Sequence, residues 1–594
     1  MDNQRNFLLA AALSLGVVFL WQIFFINPRI ERERAIVEQS APTTPSATAN
    51  GENSGIPKAG ETASNNSAAV PDTLEKQERE APRIALKSDR LEGTINLRGA
   101  RIDDLRLTEY REEIEEGSPK IQLLKPVQDE NAYFAELGWS PDANLGNLPG
   151  PSTVWSQTEG GELTPSSPVM LQFVNDKGLT FSRKIEIDQD YMFTITDTVA
   201  NASGAEVSVK PYGRIARYGT PKTEGIFVLH EGLIGAVGDQ GLDEVDYDDI
   251  EDEVGGRLAK EPAQEGWLGI TDKYWATALI PGSGFTASYN YLGRNRKFYQ
   301  TDFVGNVIAV PAGGEVSITN RLFAGAKKVD IIDSYATDLK IPLFDKIIDW
   351  GWFYWITKPL FIVMNWVFNL VGNFGVAILI VTVMLKALFF PLANKSYKSM
   401  ANMKKMQPEI QAIKERFGDD RQGQQKATAE LFKNEKINPV AGCLPMLLQL
   451  PVFFALYKVI YVTIEMRHAP FFGWIQDLSA PDPTSIFNLF GLLPFEVPLF
   501  LMIGIWPLLM GITMFIQMQM NPTPPDPTQQ LIFKWMPVVF TFMLATFPAG
   551  LVIYWAWNNF LSILQQGTIM KRQGAKIELW DNLKTMFGGK KEAP

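Results

Sequence analysis

Hydrophobic and polar positions divide this 594-residue chain into contrasting stretches. Residues 7–26 form an almost unbroken apolar run, roughly long enough to cross a bilayer core. The run is too long for a cleaved signal, and Asn27-Pro28 stands where a small-residue cleavage site would be. Residues 36–80 are rich in Ser, Thr, Ala, Asn, Pro and Gly and read as a disordered tether. Alternation with a period of two then takes over, as in Leu179-Thr-Phe-Ser-Arg-Lys-Ile-Glu-Ile187, with Asn175-Asp-Lys-Gly178 marking a turn. Short alternating runs between turn signals predict a large β-sandwich. Residues 341–371 mix Trp350, Trp352, Trp355 and Trp366 with Lys346 and Lys358, a pattern for a helix lying in a membrane interface. Five further apolar stretches follow, at about 372–392, 441–464, 497–518, 531–547 and 549–567, and each predicts a transmembrane helix.

The expected organisation is an N-terminal anchor over 1–28, a disordered linker over 29–81 and a β-sandwich domain over 82–340. An interfacial amphipathic helix over 341–371 precedes a five-helix membrane core over 372–567. A helical hairpin over 393–437 interrupts that core, and a basic tail closes the chain over 568–594. The fold class is therefore an α-helical integral membrane protein carrying a large β domain. Within the hairpin, Gly418 ends one helix and Asp419-Asp420 starts the next. Met400, Met403 and Met406 recur at helical spacing, either packed within the hairpin or forming an adaptable apolar patch.

Charge orients the arrangement. Residues 28–339 are net acidic, whereas 394–436 and 571–594 are net basic. Basic loops stay cytoplasmic, so both termini and the hairpin face the cytoplasm and the β domain lies across the membrane. The single cysteine excludes an intramolecular disulfide framework, and one cysteine with two histidines argues against a His/Cys metal site. No phosphate-binding G-x-x-x-x-G-K-[ST] motif is present, and no cofactor is implied. The acidic run Asp243–Glu253 reads as a solvated loop or, as an alternative, a site for a divalent cation or a partner, although its spacing does not match an EF-hand.

The chemistry centres on Lys386, inside the apolar run Val376–Pro391. The predicted spans hold no interior Asp or Glu to pair with it. About nine residues separate it from Lys395, or roughly 13 Å at 1.5 Å per residue. An ionised group at such depth costs at least ~3 kcal/mol and usually faces a bundle interior or water. Thr382, Gln449, Asn558 and Asn559, with Ser562 beyond, are candidates to line a hydrated pocket around it; as an alternative, they bond neighbouring helices. Lys458 reads as an interfacial anchor that reaches outward. The fifth span is short, which favours local bilayer thinning. A positive, hydrated pocket beside thin bilayer lowers the cost of bringing a polar, acidic segment part-way into the membrane. An ion or solute transporter is the alternative, although such proteins commonly use intramembrane carboxylates.

Several stretches resemble the YidC/Oxa/Alb family of bacterial membrane protein insertases. They are Asn373-Phe-Gly, Phe390-Pro-Leu, Gln407-Pro-Glu-Ile-Gln, Asn438-Pro-Val-Ala-Gly-Cys-Leu-Pro-Met-Leu-Leu-Gln-Leu-Pro451, Asp526-Pro and Phe547-Pro-Ala-Gly-Leu. The resemblance covers nearly the whole chain. It implies a non-enzymatic insertase and chaperone of the inner membrane with a periplasmic β-supersandwich similar to sugar-mutarotase domains. It also implies a groove open to cytoplasm and lipid. Expected partners are nascent membrane proteins, the Sec translocon with its accessory subunits, the ribosome and membrane lipids, with no specific nucleic acid. Alignment with the family's apolar wall points to Phe453 and Met510, with ordinary lipid or core contacts as the alternative for both. The family's groove cation is usually arginine, and the matching residue here is Lys386: charge attraction survives, but the bidentate fork does not. Mutarotase-type acid–base chemistry is not expected, because His230 is the only histidine of the β domain.

Overall fold

A computed structural model of the chain describes residues 80–574, apart from 224–228, 294–295, 419, 436–443, 491–492, 494–496, 498–501 and 522–526. The predicted anchor, most of the tether, Cys443, Glu496, Asp526 and most of the basic tail lie outside the described residues.

Two nine-stranded antiparallel sheets build the first half. One runs through Arg83–Lys87, Leu91–Asn96, Arg101–Arg111, Tyr133–Trp139, Pro211–Tyr218, Phe298–Gly305, Phe285–Tyr291 and Arg257–Ala259, with Lys120–Leu124 paired to Arg101–Arg111. The other runs through Leu242–Asp246, Gly232–Val237, Gly266–Thr271, Trp275–Ile280, Glu315–Ala326, Met192–Asn201, Leu179–Ile187, Val169–Val174 and Ser156–Glu159. The alternation over 179–187 sends Leu179, Phe181, Ile185 and Ile187 inward. The Asn175–Gly178 turn forms as expected, with the Asn175 side chain accepting from Lys177 N and Leu179 N, and Gly178 holding φ 81°.

Arg183 shares that inward phase and is fully buried. Its guanidinium grips Asp197 through Nε at 2.6 Å and Nη2 at 2.9 Å. Its Nη1 donates to Leu137 O of the opposite sheet at 3.1 Å. A forked, fully buried cation thus ties the two layers together.

The β domain does not fill the whole of 82–340. A helix, α1, occupies Val329–Asp338. Next come α2 (Tyr354–Val371), α3 (Phe374–Leu388), α4 (Phe390–Lys405), α5 (Gln407–Phe417) and α6 (Arg421–Asn434). The chain continues with α7 (Leu444–Val462), α8 (Ile505–Met520), α9 (Pro527–Leu544) and α10 (Ala549–Arg572). The Asn373 side chain caps α3 by accepting from Val376 N. The helical turn at Gly418 and the Asp420 cap, which accepts from Gly423 N, match the hairpin expected from sequence.

The first predicted core span is broken. Helices α3 and α4 meet at an angle of 69°, with Pro391 in the first turn of α4, where its missing N–H costs nothing. Among the described residues no single helix is both long and apolar enough to cross a membrane, whereas this bent pair together is. Gln449–Val462, Ile505–Met520 and Gln530–Leu544 are shorter apolar helical stretches. The predicted 531–547 span is the middle and end of an 18-residue helix that begins at Pro527. Helices α8 and α9 approach closely at Gly511, where a Cβ would overlap the Thr541 hydroxyl.

Candidate functional site

The amphipathic demand of a helix bundle explains where the polar residues of α10 go. Asn558, Asn559, Ser562 and Gln566 sit within two turns of one another and all are buried. Trp557 Nε1 donates to Leu379 O at 3.2 Å, which fixes α10 against α3. Lys386, half-buried on α3, donates from Nζ to Ser562 Oγ at 2.6 Å, and Ser562 Oγ in turn donates to Asn558 O at 2.8 Å. The Tyr397 hydroxyl of α4 also hydrogen-bonds Ser562. Among the described residues no carboxylate pairs with Lys386. Along α10 on either side of Ser562, the buried amide nitrogens of Asn558, Asn559 and Gln565 and the amide oxygen of Gln566 find no protein partner among those residues. Gln566 Nε2 donates to Asn521 Oδ1 at 3.0 Å. A lone cation held on a helix that carries several unsatisfied amides is fit to solvate a polar or anionic group that arrives from outside.

The other candidates divide. Gln449 meets the Tyr554 hydroxyl on the same α10 seam. Thr382 is buried and returns its hydroxyl to Ile378 O of its own helix at 2.7 Å, so it does not serve Lys386. Half-buried Phe453 packs on Trp555 at 4.6 Å, with exposed Phe454 and Leu450 beside it. Met510 is fully buried among Met514, Leu544, Val552 and Ala556. As placed, it fills the α8–α9–α10 packing instead of lining an open wall. Of the three methionines, Met400 packs with Tyr397 and with Ile569 of α10, while Met403 and Met406 are half-buried. The α4 helix bends 69° from α3 and packs Tyr397 and Met400 against Ile569 of α10 before the α5–α6 hairpin begins.

Lys458 does not reach outward. It is buried and pairs with Asp349 at 2.6 Å. Asp349 also accepts from His230 N of the β domain at 2.9 Å and from Gly351 N at 2.9 Å. Further polar contacts join the β domain to the helices nearby. Glu465, just past α7, accepts from Val329 N at the start of α1 at 3.0 Å. The Lys273 ammonium lies 3.7 Å from the centre of the Tyr461 ring. Arg467 donates to Arg111 O at 2.6 Å and Glu112 O at 3.0 Å. Burial pushes the Glu465 carboxyl up to about 7. This junction is not written in local sequence: Lys458 has Glu465 only seven residues on, and its partner Asp349 lies 109 residues away in the chain.

Two family models cover the described chain: the YidC periplasmic domain over residues 83–363 and the 60Kd inner membrane protein over 366–576. The membrane protein insertase YidC of Rhizobium meliloti (strain 1021) is 53% identical over 600 residues, covering 99% of each chain. That of Brucella suis biovar 1 (strain 1330) is 54% identical over 615 residues, covering 100% of each. This chain belongs to the YidC family. Among solved structures, a crystal structure of an active YidC insertase with its first transmembrane domain resolved matches 82% of this chain and 94% of its own, at 17% identity and a TM-score of 0.33. The YidC relatives are named for insertion and not for an enzymatic reaction. The boundary between the two family models, at 363–366, falls inside α2, so the β domain and the junction segment belong to one matched unit and the helical half to the other.

Proposed function

We propose that this chain is a membrane protein insertase and chaperone of the bacterial inner membrane. The observation that carries the reading, beside family membership, is Lys386 with its hydrogen bond to Ser562, an unpaired charge set among buried amides of α10. In this reading α3–α4 and α7–α10 form the five-span core, with an anchor over 1–28 as a sixth span. Both termini and the α5–α6 hairpin are cytoplasmic, and the β-sandwich is periplasmic. Lys386, Ser562, Asn558, Asn559 and Gln449 line a groove open to cytoplasm and lipid. The groove holds the acidic or polar lead of a nascent chain while its apolar helix moves along the Phe453 side into lipid. Helix α2 and the turn before it, with Trp355 and Trp366 exposed on the helix and Trp352 on the turn, lie at the membrane surface. The Met400–Met406 stretch and the hairpin meet the substrate, delivered by the ribosome or passed from the Sec translocon and its accessory subunits.

The mechanism needs no covalent step. Desolvating a carboxylate in hydrocarbon is costly, and a nearby cation with free amide donors replaces part of its hydration shell. Reconstituted into vesicles, the Lys386→Glu variant is expected to insert substrates with acidic translocated tails poorly at unchanged thermal stability. Wild-type rates for that variant at equal abundance would sink the reading.

A further inference from the structure

Between the end of α1 and the start of α2 lies a cleft of about 470 Å³ on the β-domain side of the helices. Its walls combine charge with an apolar floor. Lys358 stands between two carboxylates, 2.8 Å from Asp333 and 3.1 Å from Asp345, and Tyr354 donates to Asp345 at 2.6 Å. Although burial works the other way, the hydrogen bonds from Tyr354 and Lys358 hold the Asp345 carboxyl below the usual carboxylate range. One ammonium against two carboxylates leaves this wall one negative charge in excess. Lys340, exposed on the facing loop, supplies one positive charge with no ion-pair partner among the described residues. Ile341, Pro342 and Leu343 add the apolar lining.

The loop is also held in an unusual conformation. Lys340 and Leu343 take φ values of 53° and 54°, left-handed backbone that non-glycine residues adopt where surroundings over-determine them. Such geometry is kept where it presents a side chain. A few residues before Lys358 in the chain, Trp352 and Trp355 are 78% and 70% exposed, a composition suited to the headgroup level of a bilayer.

We propose that this cleft binds the phosphoethanolamine headgroup of a zwitterionic membrane lipid, with Lys340 taking the phosphate and the Asp333–Asp345 wall taking the ammonium. The proposal rests on the membrane placement of α2 under the proposed function. The charge pattern selects among headgroups. A primary ammonium can donate hydrogen bonds to carboxylates, whereas a choline group cannot, and no aromatic ring lines the cleft to cage one. An anionic glycerol headgroup offers the acidic wall hydroxyl donors but no positive charge to balance it. The apolar residues at 341–343 suit the glycerol and first acyl carbons, which a soluble phosphoethanolamine lacks.

The test uses the full chain in bilayer discs of equal phosphatidylethanolamine, phosphatidylcholine and phosphatidylglycerol, with retained lipid read by native mass spectrometry. Phosphatidylethanolamine is expected to be retained roughly fivefold over the other two, the worth of one well-placed ion contact. Lys340→Glu is expected to lower retention of all three lipids, because each carries the phosphate, and Lys340→Arg to keep it. Thermal midpoints of both variants should match wild type, because the Lys340 side chain is exposed. Asp345→Asn, which removes one charge of the acidic wall, should bring phosphatidylethanolamine towards parity with the other two. Parity in wild type, or an undiminished preference in Asp345→Asn, would overturn the proposal. Binding of free O-phosphoethanolamine as tight as that of the lipid would overturn its lipid part. Flotation with vesicles separates the two readings: wild type that fails to float refutes membrane placement, while wild type that floats without headgroup preference refutes only the site.

Discussion

The Lys458 ammonium lies 2.6 Å from the Asp349 carboxylate, with 10% and 13% of the two side chains exposed. Asp349 therefore serves three donors at once: Lys458 of α7, His230 N of the β domain and Gly351 N of its own turn. Removing one partner of a buried pair leaves the other charge desolvated, at about 3–5 kcal/mol. Lys458→Met should lower stability by that order in detergent unfolding. The double variant Lys458→Met/Asp349→Asn should recover part of the loss, since asparagine still accepts from both N–H groups. A double variant no more stable than the single would show that the pair is not the source of the effect.

Glu465 makes the same junction sensitive to pH. Its folded value is about 7 against 4.5 for an ordinary glutamate. A raised carboxyl contributes stability that is complete below 4.5 and is lost as pH rises through 7, because the folded state then ionises a buried group that the unfolded chain ionises freely. The thermal midpoint should therefore fall between pH 5 and pH 8. Glu465→Gln, which can still accept from Val329 N, should flatten that part of the profile. An unchanged slope in the variant would reject Glu465 as its origin.

Local pattern carried most of the fold. The period-two run at 179–187, the Asn175–Gly178 turn, the Gly418 helix end and the helical stretches of the second half are each written in consecutive residues. What stayed hidden depends on residues far apart in sequence. The inward phase of Arg183 was visible, but its partner Asp197 on the next strand was not singled out. Lys458 looked like an outward-reaching anchor because nothing in α7 shows Asp349. Lys386 was legible because its neighbours are apolar, and Ser562 because it follows Asn558 by one helical turn. Met510 shows the converse: an alignment placed it on a wall, and packing against Leu544 and Val552 placed it inside.

The Arg183 fork should behave as one unit. Arg183→Met leaves Asp197 buried without its cation and Leu137 O without its donor. A loss of about 3–5 kcal/mol is expected in denaturant unfolding of the full chain. Arg183→Lys should recover little, because a point ammonium cannot meet both Asp197 oxygens and the opposite strand together. Near-wild-type stability of the lysine variant would show that charge alone suffices.

Lys386 allows charge and fork to be separated within the proposed groove. Its one hydrogen bond to a neighbouring helix goes to Ser562 Oγ, so it makes no use of guanidinium geometry. Lys386→Arg should therefore insert acidic-tailed substrates as well as wild type, and Ser562→Ala should reduce insertion less than loss of the charge does. Lys386→Met removes an attraction of about 1–4 kcal/mol, the range from water to an effective dielectric of about 20 at 4 Å. Even the low end is roughly fivefold in rate. The decisive control is the substrate. If the lysine acts by charge on the tail, Lys386→Met and wild type should insert a tail with its acids changed to amides at the same rate. An equal deficit for both tails would mean that Lys386 holds α3 to α10 and does not receive the substrate.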